Sequence, residues 1–169
     1  MHAGRQVAVT SVTALLVLFG AACRTPPSLT ASQPSADALA QAMLEAVARR
    51  DGAALRALAL TEQEFRQHVW PELPAARAER NLPFSFVWGD LHQKSDARMN
   101  AMLAQHGGRR LELREVRFGG KTAYTTYTVH RDSALVVRDQ EGRDVELKIA
   151  GSMLEKDGQW KVFSFVVDD

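Results

Sequence analysis

Apolar side chains first run together along this chain, then recur every three or four positions, and beyond residue 108 alternate. Residues 7–20 carry no charge and include the block Ala14-Leu15-Leu16-Val17-Leu18-Phe19, with Arg5 before it and small residues after it. This is the apolar region of a secretory signal, too short for a membrane-spanning anchor. Residues 24–34, RTPPSLTASQP, offer little to bury and predict an extended tether. Helical spacing starts after the N-cap candidate Ser35, with Leu39, Met43, Leu44 and Val47 on one face, and Asp51-Gly52 breaks it. A second short helix is expected over 53–60, with Leu55 and Leu58 inward. A third starts at the capping box Thr61-Glu62-Gln63-Glu64, carries Phe65, Val69 and Trp70, and ends at Pro71. The Pro-rich 71–83 segment predicts a loop, and 84–106 the longest helix, interrupted near Ser95-Asp96 and stopped by Gly107-Gly108.

The alternating part predicts strands. Leu111, Leu113, Val116 and Phe118 are its first inward set, and the step from 113 to 116 implies a β-bulge near Arg114-Glu115. Turns are expected at 119–121, 131–133, 140–142 and 156–158, separating strands over 122–129, 134–138, 145–154 and 160–167. Hairpin-short links predict antiparallel pairing in chain order. Helices followed by strands make an α+β domain over 35–169, with N-terminal helices packed on a curved, cone-like antiparallel sheet of four to five strands.

Composition narrows the function classes. The 169 residues are 46% hydrophobic, with 21 basic and 20 acidic side chains, which excludes a disordered chain and gives no reason to expect nucleic acid. A single cysteine cannot build a disulfide framework. Without residues 1–22 the chain loses only Arg5 among its charges, leaving 20 of each sign.

That cysteine stands in Gly20-Ala21-Ala22-Cys23, which resembles the lipobox of bacterial lipoproteins. The resemblance implies a signal peptide at 1–22, cut before Cys23, and lipid such as palmitate on the Cys23 sulfur. Residues 23–34 would then tether the domain to a membrane of the cell envelope, facing the periplasm or exterior. Arg24 where an inner-membrane retention signal has Asp favours the outer membrane. The helix-then-meander plan, with the closing stretch Gly151-Ser152-Met153-Leu154-Glu155-Lys156-Asp157-Gly158-Gln159-Trp160-Lys161-Val162, resembles the nuclear-transport-factor-two-like superfamily, the cone fold shared with ketosteroid isomerase and polyketide cyclases. The resemblance implies a pocket between sheet and helices, and dimerisation through the outer sheet face.

Candidate chemistry is sparse. Tyr124, Tyr127 and His130 share one stretch, where alternation puts Tyr127 opposite the other two, and no Asp falls inside a strand to act as a base. No catalytic residue is therefore assigned. His68, His92, His106 and His130 form neither a His-x-x-x-His nor a His-Glu-x-x-His motif, so neither a metal nor another cofactor is expected. His130-Arg131-Asp132 matches three letters of a kinase catalytic loop, but Val137 stands where its Asn belongs. Arg109, Arg110, Arg114 and Arg117, interleaved with Glu112 and Glu115, read as a solvated strand face. Trp88, His92 and Tyr127 are the pocket-lining candidates, with 71–83 over the mouth. The expected function is a membrane-tethered, non-enzymatic domain that binds a small hydrophobic ligand or acts as a scaffold. The alternative is a small-molecule isomerase, cyclase or hydrolase using the same cavity.

Overall fold

The computed structural model describes residues 29–80 and 82–167. The expected signal peptide, the lipobox-like stretch with Cys23 and the start of the expected tether lie outside the described residues. Helix α1 is Ala36–Arg49; the Ser35 hydroxyl accepts from the Ala38 amide, and Arg50 closes the helix in the left-handed region at φ 56°. Asp51 caps α2, Gly52–Leu58, through the Ala54 amide. At α3, Glu62–Glu64, both halves of the capping box form: the Glu64 amide donates to Thr61 Oγ1 and the Thr61 amide to Glu64 Oε2. A π-helical turn, Phe65–Val69, continues α3, and short 3₁₀ turns follow at Trp70–Glu72, Pro74–Ala76 and Ala78–Arg80. Helix α4 is Phe84–His106 and runs unbroken through Ser95-Asp96, where a break was expected.

Five strands form one antiparallel sheet that is not closed: β1 Glu112–Ala123, β2 Thr128–Arg138, β3 Asp144–Leu147, β4 Ser152–Lys156 and β5 Gln159–Ser164. The order is β1-β2-β4-β5, with β3 on β2 beside β4. The fold is α+β, as the periodicities predict. The bulge in β1 lies between Leu113 and Glu115.

Two turn expectations and one strand expectation are corrected. Gly119-Gly120 does not turn the chain but lies within β1. A Cβ on Gly119 would come within 2.8 Å of Asp132 Cβ, so the missing side chain admits a close cross-strand approach. Asp132 is no turn either: it sits in β2 with φ 52°, a left-handed kink within a strand. The β1–β2 turn is at Tyr124–Tyr127, closed by the Tyr124 amide on the Tyr127 carbonyl. The expected 145–154 strand is two, because residues 148–151 leave the ladder. There the buried Ser133 hydroxyl donates to the Ala150 carbonyl, and the Gly151 backbone lies against Val166 with no room for a Cβ.

Neighbouring residues in β4 and β5 enter different cores, which puts one core on each sheet face. Met153 and Val162 pack with Leu39, Met43, Val47, Leu55 and Met99. Leu154 and Phe163 pack with Leu29, Leu60, Phe65, Val69, Trp88 and Leu91. Helix α4 serves both, its first half in the second core and Met99 and Met102 in the first. Coverage on both faces explains the nearly continuous apolar run of β5. Its outer edge is covered too: Gln33 exchanges two backbone hydrogen bonds with Trp160, and the Leu60 amide donates to Val162. Thus residues 29–34, read as tether, are docked on the domain, with Leu29 only 5% exposed.

Candidate functional site

A cleft of about 370 Å³ opens between α2, α4 and the end of β5. Its apolar wall is Leu60, Trp88, Leu91, Phe163 and Phe165, and its polar side is Arg56, Glu62, His92 and Asp96. Residues 88, 91, 92, 95 and 96 share one flank of α4 because they recur at helical spacing. The Phe165 amide donates to Ser95 Oγ at 2.9 Å and so fixes α4 against the sheet end. The Asp96 carboxylate lies between Arg56 Nε at 3.5 Å and His92 Nε2 at 3.8 Å. The Trp88 ring stacks on His92, with centroids 5.3 Å apart and planes 14° apart. Both hydroxyls of the cleft serve as structural acceptors, Ser95 for Phe165 and Thr61 for Glu64.

Of the three pocket candidates, Trp88 and His92 line the cleft and Tyr127 does not. Tyr127 is buried in the second core, donates to the Val69 carbonyl at 3.2 Å, and stacks on Tyr124 with centroids 4.5 Å apart. Burial pushes its phenol well above the usual range, aided by Tyr124 and Glu72. The two tyrosines meet because they flank a turn instead of alternating along a strand.

Glu72 anchors that turn, accepting from the Thr125 and Thr126 amides and the Thr126 hydroxyl. The Thr126 hydroxyl, foremost among these donors, holds its carboxyl below the ordinary range. His130 bonds Glu155 at 2.8 Å between the Phe118 and Trp160 rings on the α1 side, away from the cleft. Among the described residues no three His, Cys, Asp or Glu side chains gather to hold a metal. Arg114 and Arg117 pair with Glu112 and Glu115 at 2.7 Å on an exposed strand face.

Sequence reading missed Arg56, Glu62 and Asp96. The spacing His92-x-x-x-Asp96 was the available signal, since i and i+4 share a helix face. It also missed the strongest electrostatic feature. Lys161, fully buried on β5, bonds Glu64 at 2.8 Å just behind the cleft residues Thr61 and Glu62. Glu64 also accepts from the Thr61 amide and from the Thr30 amide and hydroxyl. Burial alone would raise its carboxyl, but Lys161 and these donors outweigh it and hold the pKa at about 2. Lysine among apolar strand neighbours was the signal there, because a buried ammonium needs a partner.

No protein-family model, no curated protein and no solved structure matches the chain.

Proposed function

We propose that the protein is a cell-envelope lipoprotein, anchored through lipid on Cys23, whose domain binds a small amphiphilic molecule in the α2–α4–β5 cleft. One observation carries the binding reading: an aromatic and aliphatic wall faces a single cluster of ionisable groups, the layout of a small-molecule site. The volume suits a compact molecule with an apolar body and one polar end. The apolar body would lie on Trp88, Leu91 and Phe163, and the polar end would meet Arg56, His92 and Asp96. The helices-then-sheet order supports the cone-fold resemblance as part of this reading.

Native mass spectrometry of the purified full-length protein tests it. We expect a co-purifying small molecule, with occupancy at least about tenfold lower in Trp88→Ala, the loss of one aromatic contact worth about 1.4 kcal/mol. Arg56→Gln, at an exposed position, tests the polar end without touching the core. A wild-type chain without ligand, or equal occupancy in both variants, would count against the cleft.

The His92–Asp96 pair favours one second reading, an isomerase, cyclase or hydrolase using that pair for proton transfer. Turnover of the co-purifying molecule, lost in His92→Gln, would establish it.

For the anchor, Cys23→Ala is expected to abolish palmitate labelling and leave the precursor uncleaved, while the domain's thermal melt stays unchanged. Wild-type protein that takes up no palmitate and is soluble outside the cytoplasm would overturn the anchor. Two or three acyl chains are needed for firm attachment, since one binds only marginally.

A further inference from the structure

We propose that the domain rests on the bilayer through the end that carries Leu82 and Phe86, so that these side chains enter the lipid interface. This rests on the anchor at Cys23. Six residue steps separate Cys23 from Leu29, which is already buried in the second core. At the extended limit they span only about 20 Å. The next residue, Thr30, is bonded to Glu64 by both its amide and its hydroxyl, so the tether has no slack beyond Leu29. The domain is therefore held against the membrane rather than away from it.

The face that the anchor brings to the lipid is also identifiable. Phe65, adjacent to Glu64, lines an open apolar groove of about 400 Å³ with Leu73, Phe86, Val87, Phe163 and Val166. Phe86 is 64% exposed and Leu82 40%, the two exposed large hydrophobic residues among the described ones. Both sit at the start of α4, the end that packs on Phe65 and Trp70 through Phe84. Exposed Arg77 and Arg80 precede them in the chain. The Asp139–Gly142 turn lies at the other end of the β1–β2 hairpin from Tyr127, which shares the second core with Leu29, and a 12-residue strand spans at most about 40 Å. Exposed aromatic side chains gain by entering the headgroup–acyl boundary, and basic residues beside them suit anionic lipid.

The test uses full-length lipidated protein carrying Phe86→Cys, with Glu141→Cys as the far-end control. Position 86 is exposed, and Glu141 is on the surface of the β2–β3 turn, so both should fold. With the Cys23 sulfur occupied by lipid, bimane labels only the introduced thiol. In phosphatidylethanolamine–phosphatidylglycerol vesicles with brominated acyl chains, quenching at position 86 should exceed that at 141 at least threefold. Equal quenching at the two positions, with lipid on Cys23 verified by mass, would overturn the docked orientation and leave the anchor standing. Absence of lipid on Cys23 would overturn both.

Discussion

A chain ended after Gly158 is expected to lose cooperative thermal unfolding. The deletion removes β5, whose Val162 is fully buried in the first core, and Phe165, which is 2% exposed. Each such side chain contributes about 1.5–3 kcal/mol through burial, against a total stability of about 5–15 kcal/mol for a domain. Further losses add to this. The backbone pairing of β5 with β4 disappears, as do the two Gln33–Trp160 bonds and the Leu60 bond that dock the N-terminal segment and α2. Glu64 is left inside without its cation. The loss is at least about 2 kcal/mol and with these additions exceeds what the rest of the sheet can supply. Circular dichroism melts of the full and shortened domains check it. A shortened domain that melts sharply near the intact temperature would show β5 to be peripheral.

Lys161→Ala is expected to destabilise the domain by about 3–5 kcal/mol, because it strands the buried Glu64 carboxylate without its ammonium partner. The cost comes from the orphaned charge more than from the pair itself. Lys161→Met combined with Glu64→Gln should therefore recover part of the loss, since the Gln oxygen can still accept from the Thr30 amide and hydroxyl and only the Thr61 amide loses its acceptor. The pair also sets an acid limit. The folded-state pKa of Glu64, about 2, lies below the ordinary 4.5, so the folded domain favours the carboxylate. Its contribution is complete above about pH 4.5 and is lost as pH falls through about 2. Urea titrations at pH 7, 4.5, 3 and 2 should show stability falling over the lower window in wild type. The double variant should fall less steeply. Parallel curves for the two proteins would remove Glu64 from the acid transition.

The helices and their caps were legible in the residues because the signals are local, and the strand region was legible as a whole but not in its internal bounds. Ser35, Asp51 and Thr61 each accept from the amide three positions on, and α4 ends where Gly107 cannot sustain it. The bulge at 113–115 follows from a break in a two-residue rhythm. Gly119-Gly120 and Tyr124–Tyr127 were assigned the wrong way round for a reason that local pattern cannot expose. Glycine answers equally to a turn and to the close approach of Asp132 across the sheet, and only the pairing register separates the two. Thr and Tyr look like strand formers, but Glu72, more than 50 positions away, binds the Thr125 and Thr126 amides and holds them as a turn.

Candidate site residues divide along the same line. Trp88 and His92 were within reach because helical spacing places them on one face. Arg56 and Phe163 join them only through packing of separate elements, and Tyr127 is drawn elsewhere by the Val69 carbonyl. The Glu64–Lys161 pair spans 97 positions, so even where Lys161 stands out among apolar strand neighbours nothing local names its partner. By itself the chain determined its local caps, its two hydrophobic periods and its α+β plan. Tertiary structure decided which charges were buried, where the cleft opened and that Leu29 shares a core with Phe65, which borders the Phe86 groove. Those outcomes depend on contacts between distant segments, whose energies no short stretch of sequence contains.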